Sequence, residues 1–222
     1  MFKMNEIKIV LVDDHNIIRD GLNILLMGLP DIKVIGEAAT GGELFNLLLT
    51  VSPDILLMDI SLPKMSGIAI TEKISKEFPN IKVIMLTASV NDESVIDSFK
   101  AGALGYLPKN IQREELIEAI KEVNEGNEYL AKSISDTVLK NFFKRGKGST
   151  FKELKNSQEL TKRELEIIEL FAEGLSYKEV ADKLNISYHT VESHKKHIFE
   201  KLELNTIVDL VKYAIRHGII SV

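Results

Sequence analysis

Along residues 1–125, short apolar runs alternate with stretches in which apolar positions recur every three or four residues. The runs IKIVLV (7–12), IKVIGEA (32–38), DILLM (54–58), IKVIML (81–86) and ALGYL (103–107) are rich in Ile, Val and Leu. Such unbroken apolarity marks strands covered on both faces, as in a parallel sheet. Amphipathic helices are predicted between the runs, near 16–28, 42–50, 67–77, 93–101 and 112–125. Five strands alternating with five helices predict an α/β domain with a five-stranded, doubly wound parallel sheet. Ligands of such sheets sit beyond the carboxyl ends of the strands, where the strand order reverses.

After Gly126 the strand pattern stops. Residues 127–143 (NEYLAKSISDTVLKNFF) are predicted to extend the chain as a further helix. The following KRGKGSTFKELKNSQ lacks apolar periodicity, carries two glycines, and reads as a flexible basic linker. Residues 158–222 are predicted to be all helical. Thr161-Lys-Arg-Glu164 and Ser176-Tyr-Lys-Glu179 are capping boxes, each placed before an apolar periodic run. Gly174 ends the first of these helices and the second closes near Leu184-Asn185. Ser187 caps a third helix reaching about Leu202, and Asn205 or Thr206 caps a fourth that ends at Gly218. The expected organisation is therefore a domain over 1–126, an extension and linker over 127–157, and a smaller all-α domain over 158–222.

Charge refines this division. Residues 1–124 carry 12 Lys+Arg against 18 Asp+Glu, residues 125–157 carry 7 against 4, and residues 158–222 carry 9 against 11. The acidity sits mainly in the first domain, and the helical module lacks the basic excess expected of a DNA binder. With no cysteine, disulfides and thiolate metal sites are excluded. No stretch approaches the roughly 18 apolar residues of a membrane span, and the N-terminus runs into a strand without a secretory signal. A cytoplasmic protein without membrane association is expected.

The run DILLM ends on an acid, Asp59, although desolvating a charge at the tip of a buried strand is costly. Other predicted strands also end on polar groups: Asp13 and Asp14 after IKIVLV, Thr87 after VIML, and Lys109 after GYLP. On a parallel sheet these ends converge on one rim. Three carboxylates there repel one another, and a hard divalent cation relieves the repulsion. Mg²⁺ fits such a donor set, with Mn²⁺ as an alternative. Asp59 could then act as a nucleophile toward a phosphoryl donor, with Lys109 neutralising charge on the transferring oxygens. Taken alone, Asp-Asp after a strand also serves as a turn and helix cap; the four elements in order on successive strand ends argue against that.

LVDDHNIIRDGL, ILLMDISLPKMSG, VIMLTA and GYLPK together resemble the receiver domain of two-component response regulators, over residues 5–124, which implies a flavodoxin-like fold. The resemblance implies that Asp59 is the phosphoacceptor and that Asp14 and Asp59 bind Mg²⁺. Asp13 would act through water, and the Ser61 carbonyl would be a further ligand. It also implies that Thr87 and Lys109 contact the phosphoryl group and that Tyr106 repositions with Thr87. The alternative for Tyr106 is packing, with its hydroxyl at the surface. Many receivers follow the lysine with a cis-proline; here Pro108 precedes Lys109 and Asn110 follows it.

In the third C-terminal helix, SYHTVESHKKHIFEKL, the 3.6-residue period places Val191, His194, Ile198 and Leu202 inward. It places His189, Glu192, Ser193, Lys196, His197 and Glu200 on the opposite face, with Lys195 at the boundary, its stem on apolar surface and its ammonium wet. Inward-facing His194 reads as a hydrogen-bonded core residue. A short helix, a tight LNIS turn and this helix form the pattern of a helix-turn-helix whose second helix enters the major groove; a four-helix module for protein contact is the alternative. LTKRELEIIELFAEGLSYKEVADKLNISYHTVESHKKHIFEKL with LVKYAIRHGII resembles the LuxR-type DNA-binding domain. Joined to a receiver, it is similar to NarL/FixJ-subfamily transcription regulators. The resemblance implies groove contacts at Glu192, Ser193 and Lys196, and phosphate contacts at Lys195, Thr190 and Ser176. A lysine is common in the family where Glu192 stands; an acid would instead accept from cytosine N4. Leu210, Val211, Ala214 and Ile215 are candidate dimer contacts, with core packing as their alternative.

The reading is a phosphorylation-dependent, DNA-binding transcription regulator rather than an enzyme. Its expected partners are a sensor histidine kinase, double-stranded DNA and, when phosphorylated, a second copy of the chain. The alternatives are a receiver with a protein-binding output and an Mg²⁺-dependent aspartyl-phosphate phosphatase. The phosphatase would need a second acid two residues after the nucleophile, where this chain has Ser61.

Overall fold

The computed structural model describes residues 6–89, 91–145 and 160–220. They divide into two compact units, Met1–Tyr129 and Leu130–Val222.

In the first unit β1 (Ile7–Val12), β2 (Ile32–Ala38), β3 (Ile55–Asp59), β4 (Lys82–Thr87) and β5 (Gly105–Pro108) alternate with five helices. These are α1 (Asn16–Leu26), α2 (Gly41–Leu47), α3 (Gly67–Glu77), α4 (Asp92–Lys100) and α5 (Arg113–Glu125). The five strands pair in parallel. The sheet is the predicted doubly wound one, with a sixth short strand, β6 (Tyr129–Leu130), giving the order β2-β1-β3-β4-β5-β6. The helix expected over 127–143 begins only at Lys132; ahead of it the Tyr129 N–H donates to the Leu104 carbonyl at 2.7 Å. The unsatisfied edge of the sheet captures this segment before the helix can begin. The two-residue strand is too short to show a period.

Apolar continuity explains the layering. Ile9–Val12, Ile55–Met58 and Val83–Leu86 are almost completely buried, with helices covering both faces of the sheet. Each such side chain contributes about 1.5–3 kcal/mol by leaving water. Local signals set the helix starts. The Thr40 hydroxyl accepts from the Glu43 N–H, Ser66 from Ala69, and the Asn91 side chain from Glu93. Gly126, with φ +93°, closes α5.

In the second unit α6 (Lys132–Arg145) is followed by α7 (Lys162–Ala172), α8 (Tyr177–Leu184), α9 (Tyr188–Leu202) and α10 (Ile207–Arg216). The predicted capping boxes at Thr161 and Ser176 both form, and Thr206 rather than Asn205 caps the last helix, in a third box with Asp209. The described part of the 127–157 extension does not stand apart, since Leu130 onward belongs to the second unit. α6 packs on α10, and the Ser135 hydroxyl donates to the Ala172 carbonyl of α7 at 2.9 Å. Most of the expected linker, residues 146–157, lies outside the described residues.

Candidate functional site

Strand register builds the rim of the first unit. Val12 pairs with Met58, so Asp13 emerges beside Asp59. Asp59 pairs with Leu86, which sets Thr87 one step beyond, and Thr87 pairs with Pro108, which sets Lys109 one step further. The reversal of strand order falls between β1, whose chain continues to β2 at one edge, and β3, which leads toward the other. Asp13 and Asp59 therefore occupy the crevice where doubly wound sheets bind ligands.

Asp13 and Asp59 are each only 1% exposed. Charges this deep need partners. The Lys109 ammonium supplies one to both, at 2.7 Å from Asp13 Oδ2 and 3.0 Å from Asp59 Oδ1. Its own N–H donates to the Thr87 carbonyl, fixing its reach. Burial acts to lower the Lys109 pKa, but hydrogen bonds and charge from Asp13 and Asp59 outweigh it and the pKa is raised. The contribution of this ammonium to stability is thus complete below the ordinary lysine pKa and fades only as pH rises through the raised one. Across neutral pH the lysine stays charged.

One lysine cannot balance three acids. Asp14 stands beside the pair, and oxygens of Asp13, Asp14 and Asp59, with one nitrogen of His15, all lie within 4.8 Å of one another. Asp59 Oδ2 is buried with no hydrogen-bond partner among the described residues. The donor set, its residual charge of −2 and this bare oxygen suit a hard divalent cation. The Ser61 side chain is exposed, on the loop that follows β3.

Two residues outside the expected set complete the rim. Arg19 donates to the Asp13 carbonyl at 2.5 Å and to Glu37 at 2.8 Å, pinning the turn after β1. His15 Nδ1 lies 2.8 Å from Asp14 Oδ1 and 3.2 Å from Asp13 Oδ1. Its position directly after Asp13-Asp14 was the sequence signal that could have found it. Gly67, at the start of α3, passes so close beneath β3 that an added Cβ would lie 2.0 Å from the Asp59 carbonyl oxygen.

Thr87 and Tyr106 are in different conditions. The Thr87 hydroxyl donates to the Ser89 carbonyl at 2.5 Å and accepts from its N–H at 3.2 Å, so it is tied to the loop before α4. Tyr106 is fully buried, which overturns the alternative of a hydroxyl at the surface. Burial raises its pKa, and the nearby Thr87 side chain offsets this only in part. The hydroxyl has no hydrogen-bond partner among the described residues. None of the described peptide bonds is cis, Pro108 included.

In the second unit the Ser187 side chain caps α9, and Asn185, left-handed at φ +52°, makes the tight turn after α8. His189, Glu192, Ser193, Lys196, His197 and Glu200 are all exposed on α9, as the periodicity predicts. His189 Nδ1 lies 3.3 Å from Glu192 Oε2. Of the three expected phosphate contacts, two are buried. Lys195 is not at a wet boundary: it is 7% exposed, and its ammonium lies 4.7 Å from the ring centroid of Phe199, 5.1 Å from Tyr177 and 5.8 Å from Phe171. Position 195 continues the 191, 198, 202 stripe, and ring faces attract the cation into it. The Ser176 hydroxyl is buried and committed to Glu179 as a cap. Thr190, the third, is half-buried and its hydroxyl pairs with Ser187 Oγ at 2.8 Å, which leaves it at the surface beside the cap. His194 is half-buried, not a core residue.

The candidate dimer residues are also displaced. Leu210, Val211 and Ala214 are fully buried and Ile215 is 7% exposed. They form the core of their own unit, where α10 packs on α7 and α6, and offer no surface to a second copy. A periodic apolar stripe looks the same whether it meets a core or a partner.

Comparison with known proteins matches both units. Residues 9–121 match the response regulator receiver domain, and residues 158–214 match the bacterial regulatory proteins of the luxR family. The chain is 36% identical over 215 residues to the oxygen regulatory protein NreC of Staphylococcus haemolyticus, covering 96% of this chain and 99% of that one. A solved structure of the RcsB response regulator of Salmonella typhimurium, described for its conformational dynamism in DNA interaction, is 27% identical with a TM-score of 0.59. That alignment covers 96% of this chain and 100% of the other. A structure of two RcsB dimers bound to two parallel DNAs is also 27% identical, with a TM-score of 0.58, covering 94% and 98% of the chains.

Proposed function

The chain belongs to the luxR-family response regulators, phosphorylation-dependent transcription regulators that join a receiver to a DNA-binding domain, and from this we propose that Asp59 is the phosphoacceptor of the chain. The observation that carries the reading is the buried Asp59, its Oδ2 without a hydrogen-bond partner among the described residues, clustered with Asp13, Asp14 and Lys109. The phosphatase and protein-binding alternatives give way, because the relatives are DNA-binding regulators rather than enzymes.

The donor is a phosphohistidine on a sensor kinase. Asp59 Oδ2 attacks phosphorus, a P–O bond forms, and the P–N bond breaks with its electron pair returning to the imidazole, which takes up a proton. Lys109, held by Asp13, stays beside the transferring oxygens and opposes their charge. Asp13, Asp14, Asp59 and the Ser61 carbonyl would hold Mg²⁺, or Mn²⁺, which when bound neutralises carboxylate and phosphoryl charge together. Before transfer the Thr87 hydroxyl is engaged with Ser89. A phosphoryl oxygen on Asp59 competes for that hydroxyl and so frees the loop leading to α4. The output is a population shift, since a phosphate favours whichever arrangement binds it better. Thr87→Ala should therefore accept phosphate yet lose most of the phosphorylation-dependent gain in DNA affinity. Parallel mass spectrometry and gel-shift titration check this, and an undiminished gain would remove Thr87 from the switch.

The module over 158–222 reads DNA through α9, with Glu192, Ser193 and Lys196 toward base edges and Thr190 nearest the backbone. Lys195 and Ser176 are left out, being buried and already engaged. Sparse positive charge favours a dimer on paired half-sites, and the similar RcsB is bound to DNA as dimers. Lys196→Ala should weaken binding and, if the lysine meets a phosphate, reduce the slope of log K against log salt by about one. Lys195→Met should leave that slope unchanged; equal slope losses from both would restore Lys195 to the interface. The receiver is assigned to 1–126 and the DNA-binding domain to 158–222, in a cytoplasmic protein. No described helix is long and apolar enough to cross a membrane.

A further inference from the structure

We propose that His15 supplies a nitrogen ligand to the acidic rim, making the pocket prefer borderline divalent ions of the Co²⁺ and Zn²⁺ class over Mg²⁺. The proposal rests on the reading of the rim as a divalent-cation site and deepens it by naming a donor that the three carboxylates do not provide.

The geometry comes first. His15 Nδ1 lies 2.8 Å from Asp14 Oδ1 and 3.2 Å from Asp13 Oδ1. Adjacent ligands of an octahedral ion with bonds of about 2.1 Å are separated by about 3.0 Å. In the structure these are hydrogen-bonding contacts of the imidazole with the two carboxylates. Their lengths also match the spacing of neighbouring ligands, so an ion could replace the shared proton without moving the ring far. The backbone N–H of His15 donates to Asp13 Oδ1 at 2.9 Å, which holds the ring's anchor point against the acid. The ring is 63% exposed, so it can turn toward an ion without unpacking anything.

Charge comes second. Asp13, Asp14 and Asp59 contribute three negative charges and Lys109 returns one, leaving a deficit that a divalent ion balances. Asp59 Oδ2 is buried and has no hydrogen-bond partner among the described residues, and the Asp59 carboxylate belongs to the same cluster. A neutral imidazole adds a donor atom without adding charge, so it changes selectivity rather than net attraction. Oxygen donors and water suit Mg²⁺ and Mn²⁺, whereas imidazole suits Zn²⁺ and the later transition ions, whose affinity rises from Mn²⁺ through Co²⁺ and Ni²⁺.

The test uses the full chain and direct binding. Calorimetric titration with Co²⁺ and with Mg²⁺ gives the two affinities, and pulsed electron paramagnetic resonance of substoichiometric Mn²⁺ reports nitrogen coupled to the bound ion. The expected result is nitrogen coupling in the natural chain that vanishes in His15→Ala. That variant should bind Co²⁺ about tenfold more weakly while its Mg²⁺ affinity stays within about twofold. Bound Mn²⁺ without nitrogen coupling, or coupling that survives in His15→Ala, would overturn the role of His15 and leave the carboxylate site standing. Failure of the natural chain to bind any of the three ions would overturn both.

Discussion

Asp59→Asn will abolish transfer of a phosphoryl group from a small donor such as acetyl phosphate. The amide matches the carboxylate in shape, so the buried position should keep its packing; what goes is the anionic oxygen that attacks phosphorus. The natural chain should gain the mass of one phosphoryl group, removable by hydroxylamine as an acyl phosphate is, and the variant should gain none. DNA affinity in the variant should no longer respond to the donor. The loss should be confined to chemistry, because removing one of three neighbouring acids relieves repulsion at the rim. An unchanged circular-dichroism spectrum would confirm that the fold persists. Undiminished labelling of Asp59→Asn would place the acceptor elsewhere and remove the basis of the proposed mechanism.

The second large effect is expected at a residue with no chemistry. Gly67→Ala puts a Cβ where 2.0 Å separates it from the Asp59 carbonyl oxygen, and the obstacle is backbone rather than a side chain that can swing away. Either α3 retreats or the end of β3 is pushed. Overpacking of this kind costs about 1–3 kcal/mol, and the displaced residue is the proposed phosphoacceptor itself. A shift of about 1 Å in a reacting atom can slow transfer on the order of a hundredfold. The variant should thus show both a lower midpoint of thermal unfolding and slower phosphorylation. Normal stability with normal phosphorylation would mean that the approach of α3 to β3 is not rigid.

The sheet was legible because its strands are buried on both faces and so leave unbroken apolar runs. The acids at their tips stood out against those runs. What the sequence does not carry is register: that Val12 faces Met58, and Asp59 faces Leu86, emerges only from pairing in three dimensions. β6 escaped because the edge of the sheet, not local periodicity, makes Tyr129 a strand residue. Lys195 was placed at a wet boundary because a charged side chain is ordinarily assigned to water, whereas here Phe171, Tyr177 and Phe199 draw the ammonium inward from three different positions along the chain. The stripe of α10 gave no means of telling an intramolecular partner from a second copy. The exposed face of α9 was read correctly because a 15-residue helix gives its period room to repeat.

The stepwise alignment of β1, β3, β4 and β5 has a consequence for how such a chain can change over time. Every group at the rim sits at a fixed count from the last paired residue of its strand, and side chains alternate faces with each residue. Inserting or deleting a single residue inside β3 would turn Asp59 to the opposite side and strand its charge in the core. Loops at the other end of the sheet are under no such discipline and can lengthen or shorten freely. Divergence among chains of this design should accumulate there, while the strand lengths that position the reacting groups remain unaltered.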